Sequence, residues 1–88
     1  MKLYKAIVKE FLAEYTVRLR KERELTQEKM SEQLRITSRA YGDLERGKYC
    51  FSTTTLLFLL LMLRDDERKN FLEEFRKRVH NLEHNEAA

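Results

Sequence analysis

Few side chains in this sequence are placed for covalent or metal chemistry. His80 and His84 are four residues apart, so they could share a helix face as metal ligands, but no third Cys, Asp or His stands at a ligand spacing beside them. We expect no metal site. Cys50 has no paired His and no helix N-terminus around it, so we expect a partly buried, unreactive loop thiol. Without a Gly-rich phosphate loop, a carboxylate pair or a nucleophile elbow, the sequence predicts neither an enzyme nor a bound cofactor.

Charge is distributed unevenly along the chain, whose formal net charge is +3. Residues 1–25 carry seven basic and four acidic side chains, residues 26–64 carry six and four, and residues 65–88 carry five and seven. The positive field therefore belongs to the first two thirds, where it would attract an anionic partner such as nucleic acid. Ordinary solvated helix faces explain so small an imbalance equally well, and the charge alone leaves both interpretations open.

The composition favours one small helical domain. The chain has 88 residues, no Pro, 2 Gly and 38% charged residues, a mixture that suits helices and short turns rather than sandwiches or barrels. Its longest apolar run, Leu56 to Leu63, is eight residues, too short to span a membrane. A single cysteine cannot form an internal disulfide, and the first residues lack the apolar core of a secretory signal, so we expect a cytoplasmic protein.

The first three helices follow from apolar spacing and from cap residues. A long amphipathic helix is predicted from Leu3 to about Glu22, where apolar residues recur three and four apart. Thr26 and Thr37 are good N-caps for two short helices, residues 27–34 and 38–46. Gly47 ends the second of these, because glycine enters the left-handed conformation without steric cost.

Two further helices are predicted after the loop at Cys50. Residues 52–55 offer caps for a fourth helix built on the apolar run. The acidic residues 65–67 favour the start of a fifth, which we expect over 66–83, since carboxylates stabilise a helix N-terminus. Residues 84–88 are expected to fray.

Two short helices joined by a turn of about three residues form the helix-turn-helix pattern. This segment resembles the Cro/phage-repressor (XRE) family of DNA-binding domains. The residues that carry the resemblance are Leu19-Arg20, LTQEKMSEQL (25–34), ITSRAY (36–41) and LERGK (44–48). It is densest over residues 12–63, with the motif at 26–46. The resemblance implies an all-α, compact five-helix bundle of the lambda-repressor type, here a single domain over 1–83 with an extended N-terminal helix and an extra C-terminal helix.

The resemblance also implies double-stranded DNA as the partner, with the third helix laid in the major groove. The side chains that correspond to the family's base-contacting positions are Ser38, Arg39 and Asp43, with Gly42 on the same outward surface. Those that correspond to its phosphate-contacting positions are Gln27, Thr37, Arg46 and Lys48. Arg20 and Glu45 match the family's ion pair between the first helix and the end of the third. We expect that pair to be partly buried, with a loss of about 3 kcal/mol when either member is removed.

The sequence departs from the family at three positions in the motif. Arg35 stands where the turn usually carries Gly, so it must adopt a positive φ or alter the turn. Gly42 offers no side chain to a base, and Asp43 would be repelled by phosphates unless it accepts from a cytosine. Arg39 is then the one strong donor on the reading surface, suited to O6 and N7 of guanine.

The fourth helix carries a stripe of apolar side chains besides those that face the core, and another part of the protein must shield this stripe from water. The minimal domain of this family would leave Phe58, Leu61 and Met62 exposed. The C-terminal helix is the expected lid, through Phe71, Phe75 and Val79, either within one chain or across the two-fold axis of a homodimer. We favour a homodimer, because this family reads half-sites spaced by one helical turn.

Two functions remain open at this point. The first is a small transcriptional regulator that binds specific duplex DNA and has no ligand-sensing domain. The alternative is a protein-interaction module, antitoxin-like or repressor-binding, in which the scaffold is retained with little specific DNA binding and a protein partner contacts the apolar stripes.

Overall fold

The computed structural model describes residues 3–87, and this part of the chain folds into five α-helices without a β-strand. The all-α prediction is confirmed. The helices, in chain order, are α1 (Tyr4–Glu22), α2 (Gln27–Leu34), α3 (Ser38–Glu45), α4 (Thr53–Leu61) and α5 (Asp65–Ala87).

Short polar side chains start the three inner helices. Thr26, Thr37 and Ser52 are the N-caps of α2, α3 and α4, and each side chain accepts from the backbone N–H three residues further on. These hydrogen bonds measure 3.0, 3.1 and 3.1 Å. Each one satisfies a donor that the helix itself cannot pair. The caps predicted at Thr26 and Thr37 are present, and among residues 52–55 it is Ser52 that caps α4.

The helix ends differ slightly from the prediction. Helix α3 stops at Glu45, with Arg46 as its C-cap, and Gly47 follows at φ 71°. Helix α5 continues to Ala87, past the point at which fraying was expected. The sequence after Asp65 contains neither Gly nor Pro, so no residue there interrupts the helix.

All five helices contribute to one core. Tyr41, Met30, Leu34 and Leu59 are fully buried, at 0–1% exposure, and Phe11 and other apolar side chains of α1 are buried beside them. Helix α2 packs against α3 and α4, while α1 packs against α3 and α5. The inner side of α3 is therefore held in the core, and its orientation is set by α1 and α2.

Aromatic contacts fix α5 on α1. The ring centroids of Phe71 and Phe75 lie 5.2 and 5.3 Å from that of Phe11, and the rings of Phe71 and Tyr15 meet edge to face at 4.8 Å. Val79 is partly buried further along α5. Such ring pairs stabilise a core beyond the area that they bury.

Within one chain, α5 therefore leaves the second stripe of α4 incompletely covered. Cover by the α5 helix of a second chain, the other arrangement that the sequence allows, stays a prediction. The aromatic side chains of α5 pack on those of α1. Leu61 is left 71% exposed. Phe58 and Met62 are only partly buried, and Phe58 lies beneath the Arg35 guanidinium, 4.4 Å from the ring centroid.

Arg23 and Arg68 donate hydrogen bonds to carbonyl groups at the end of α4, a role that was not predicted for either residue. Arg23 donates to the Met62 carbonyl at 2.6 Å and to the Glu67 carboxylate at 2.6 Å. Arg68 donates to the Leu60 carbonyl at 3.0 Å. Both acceptors lie at the C-terminal end of α4, where carbonyl groups lack the usual helical donors, and the Leu60 carbonyl also accepts from the Leu63 backbone N–H at 3.1 Å. Arg23 also ties the end of α1 to the start of α5.

Candidate nucleic-acid interface

The turn between α2 and α3 comprises residues 35–37. Arg35 adopts the left-handed conformation at φ 58°, ψ 40°, which is the first of the two options that its sequence position left open. The backbone N–H of Ile36 donates to the Ser31 carbonyl at 3.0 Å and closes the end of α2. The turn therefore keeps its compact form with an arginine in the place of glycine, at the conformational cost of a non-glycine residue in this region.

Small side chains hold the two helices of the motif together. The hydroxyls of Ser31 and Ser38 lie 3.3 Å apart where α2 meets the start of α3. Ser31 is buried and also donates to the Glu28 carbonyl at 2.6 Å. Because Ser38 begins α3 and remains exposed, it lies at the edge of the helix that would face a ligand.

The ion pair expected between Arg20 and Glu45 is present. Nε of Arg20 donates to Oε2 of Glu45 at 2.6 Å and Nη2 donates to Oε1 at 3.3 Å, with the two side chains 17% and 9% exposed. Arg20 also donates to the Leu25 carbonyl at 3.1 Å. Glu45 accepts two further hydrogen bonds, from the Tyr41 hydroxyl and, at 2.8 Å, from the Gln27 amide.

This network changes the protonation of its members. Burial alone would raise the pKa of the Glu45 carboxyl, but the hydrogen bonds from its three donors outweigh it, and the pKa lies below the usual 4.5. Burial, and next the hydrogen bond to Glu45, raise the pKa of the Tyr41 hydroxyl, which therefore stays a donor. The network fixes the end of α3 on α1 while α3 presents its opposite side outward.

The outward side of α3 carries Arg39, Asp43 and Arg46, spaced four and three residues apart along the helix. Arg39 is exposed and has no hydrogen bond or ion pair with the other residues between 3 and 87. Its five N–H donors are available to a ligand.

The Asp43 carboxylate is less available to a base than its position in the sequence suggests. Its side chain is only 13% exposed and forms an ion pair with Nη2 of Arg46, whose own side chain is 66% exposed. A carboxylate engaged in this way is a poor acceptor for a cytosine amino group. The expected role of Asp43 in base contact is therefore weakened.

Gly42 does not lie on the outward surface, and that expectation is corrected. It is buried, because the Arg46 side chain lies across it. A methyl group added at Gly42 would stand 3.2 Å from Nη1 of Arg46. The absence of a side chain at Gly42 is thus what gives the arginine its place.

The remaining candidates for phosphate contact lie at the ends of α2 and α3. Gln27, Thr37 and Lys48 are exposed. The amide nitrogen of Gln27 is engaged by Glu45, whereas the Thr37 side chain accepts from the first turn of α3. Lys48 lies beside Tyr49, with Nζ 5.5 Å from the ring centroid. Tyr49 is itself 57% exposed and was not predicted as part of the surface.

The rings of His80 and His84 lie with their centroids 4.0 Å apart and are tilted by 32°. Within residues 3–87, no group of three His, Cys, Asp or Glu side chains could hold a metal ion. Cys50 is exposed, so the expectation of a partly buried thiol is wrong. The helices in the described part of the chain include none that is long and apolar enough to cross a membrane.

Comparison with known proteins gives one match. A family model described as helix-turn-helix matches residues 18–64, which is more than half of the chain. The matched segment begins in the last part of α1, contains both members of the Arg20–Glu45 pair and includes all of α2, α3 and α4. No curated protein and no solved structure is significantly similar to the chain.

Proposed function

Because this chain belongs to the Cro/C1-type helix-turn-helix (XRE) family of DNA-binding regulators, we propose that it is a small transcriptional regulator whose α3 reads a specific duplex sequence in the major groove. The proposal rests on the exposure and position of Arg39. It is an exposed arginine without a partner in the described chain, on the outward side of a helix whose inward side is locked by Tyr41 and Glu45.

Arg39 is the second residue of α3, near the end at which recognition helices contact bases. Two of its N–H groups can donate together to O6 and N7 of a guanine, which is the commonest specific contact in the major groove. Ser38 adds a hydroxyl at the helix start. We propose Arg39 as the main base-contacting residue, with Ser38 as a weaker one. The carboxylate of Asp43 is engaged by Arg46, and we do not propose it as a base contact.

The helix starts beside this surface support phosphate binding. Each carries backbone N–H groups and the positive end of a helix dipole, which together favour an anion. We propose that Gln27 and Thr37 contact phosphates at the starts of α2 and α3, and that Arg46 and Lys48 do so beyond the end of α3. These contacts would set the register of the protein on DNA without reading its sequence.

The exposed leucines of α4 support a homodimer. Leu57 and Leu61 are one helical turn apart and are 58% and 71% exposed. Phe71 and Phe75 are used within the chain, so the dimer we propose forms mainly through Leu57 and Leu61. Two copies would then read two half-sites.

The same leucines also favour the second candidate, a protein-interaction module. Leu72 of α5 is 56% exposed as well, at the edge of a groove lined only by apolar side chains of α1, α4 and α5. Under this reading the apolar surface binds a protein partner, and duplex binding stays weak and unspecific. We propose that either activity is exercised in the cytoplasm.

A selection from random duplexes at two salt concentrations tests the proposal. We expect enrichment of a motif with two-fold symmetry, bound far more tightly than random DNA, as specific complexes usually are. If no motif is enriched, and every duplex binds only in the unspecific range of about 10⁻⁴ to 10⁻⁶ M and dissociates as salt rises, the regulator proposal is wrong and the interaction module takes its place.

A further inference from the structure

We propose that Asp43 limits DNA affinity by holding Arg46 on the surface of α3 in the free protein. The inference rests on the proposed function, since it concerns how strongly the same surface binds phosphate. It assigns Asp43 the role of a positioning residue for Arg46, in place of the base contact expected from its position.

The geometry places one carboxylate between two arginines. Asp43 follows Arg39 by four residues and precedes Arg46 by three, so all three lie along one side of α3. The carboxylate pairs with Arg46 and leaves Arg39 free. An acidic residue three positions before a basic one is also the favourable order along a helix.

Gly42 makes this resting position of Arg46 possible. The three atoms nearest to a methyl group added at Gly42 would be Nη1, Nη2 and Cζ of Arg46, at 3.2, 3.8 and 3.9 Å. The guanidinium therefore lies close over the bare backbone of the helix. The Asp43 side chain is 13% exposed, which reduces the competition of water for the pair.

Binding to phosphate competes with this pair. Arg46 can neutralise a phosphate only by leaving Asp43, so the gain from the phosphate contact is reduced by the loss of the ion pair. The vacated carboxylate then faces DNA without a counter-charge. Because a phosphate contact carries no sequence information, the pair lowers affinity for all duplexes while the base contact of Arg39 is unaffected.

A double-mutant cycle tests this inference. The dissociation constant is measured at low salt for the wild type, Asp43→Asn, Arg46→Gln and the double variant, on the selected duplex and on a random one. We expect Asp43→Asn to tighten both complexes by about two- to fivefold, the range expected for a surface ion pair. Arg46→Gln should weaken binding by a larger factor in the Asp43→Asn background than in the wild type. The ratio of these two factors should equal the tightening caused by breaking the ion pair, about two- to fivefold.

The control is Glu32→Gln. In the wild type the Glu32 carboxylate forms an exposed ion pair with Lys29 on α2, at an N···O distance of 3.6 Å, and the substitution removes that carboxylate. It should tighten binding less than Asp43→Asn does. Equal tightening by the two variants, or equal losses from Arg46→Gln in both backgrounds, overturns the inference and leaves the proposed function standing. If the wild type binds no duplex, the proposed function fails and this inference fails with it. Thermal melting of each variant separates lost binding from lost folding.

Discussion

The guanidinium of Arg20 and the carboxylate of Glu45 are joined by two hydrogen bonds, from the last part of α1 to the final residue of α3. Both side chains are largely buried. Tyr41 and Gln27 donate to the same carboxylate, so four side chains on three helices share one charge pair. The orientation of α3, and with it the direction of Arg39, depends on this network.

Arg20→Ala should lower the free energy of unfolding by about 3 kcal/mol, because it leaves a buried carboxylate under-compensated. Urea denaturation measures the change. The control is Arg76→Ala, which removes an exposed ion pair with Glu73 whose side chains are 74% and 54% exposed. That change should cost less than about 1 kcal/mol. Similar losses for the two variants would show that burial adds nothing to the Arg20–Glu45 pair.

Acid should weaken the fold through Glu45. Since the pKa of this carboxyl is lowered in the folded protein, its contribution to stability is present above the usual 4.5 and is lost as pH falls through the folded value. Glu45→Gln should be less stable at pH 7 and should lose less stability between about pH 5 and pH 3. The Glu67 carboxyl, whose pKa is lowered first by the Arg64 backbone N–H, keeps part of the acid dependence. Unfolding free energies at four pH values measure both slopes, and parallel slopes for wild type and variant would contradict the prediction.

Arg39→Ala should remove sequence preference at about one base pair, at a cost on the order of 1 to 3 kcal/mol on the selected duplex and little on random DNA. Lys48→Ala is the comparison, because a phosphate contact is lost equally from every sequence. It should weaken all duplexes alike and reduce the salt slope by about one. Equal losses from Arg39→Ala on specific and random DNA would refute its role in base contact.

Gly42→Ala should stabilise the fold. Alanine is favoured over glycine inside a helix by about 1 kcal/mol, and the three atoms nearest to the new methyl group all belong to the end of the long Arg46 side chain, which is 66% exposed. Such a gain corresponds to a rise of roughly 4 to 8 °C in Tm. Gly47→Ala is the matched control and should lower Tm, since Gly47 has φ 71°. A lower Tm for Gly42→Ala would mean that Arg46 cannot move aside.

Leu61→Lys should convert the proposed dimer to a monomer without lowering the stability of the subunit, because this leucine is 71% exposed. Light scattering gives the mass, and thermal melting at low concentration gives the stability. Leu3→Lys changes a residue that is 62% exposed at the far end of α1 and should leave the mass unchanged. A wild type that is already monomeric would end the dimer proposal.

Local signals explain why most helix boundaries could be predicted. Thr26 and Thr37 act on backbone groups within their own first turn, so their effect is readable in the sequence. Gly47 likewise ends α3 through its own conformation. The Arg20–Glu45 pair is not local, and it could be expected only because the sequence resembles a family that contains it.

Other features could not be read from the sequence, because they depend on a choice among similar partners. The stripes of α1 and α4 are both apolar, and nothing in their spacing shows that Phe71 would pack on Phe11. The position of Arg46 over Gly42 depends on the rotamer of a long side chain. The contacts of Arg23 join residues more than 35 positions apart and follow no short motif.

The hydrogen bonds that Arg23 makes to the end of α4 and the start of α5 also affect how two copies can associate. Exchange of α5 between subunits would require the short connection after Leu61 to straighten and α5 to leave its own α1. The second movement would break the hydrogen bond of Arg23 to Glu67 and separate the aromatic rings of the two helices. A swapped dimer would re-form the same contacts between chains, so these interactions raise the barrier to exchange. The dimer that we propose should therefore assemble from closed, fully folded monomers.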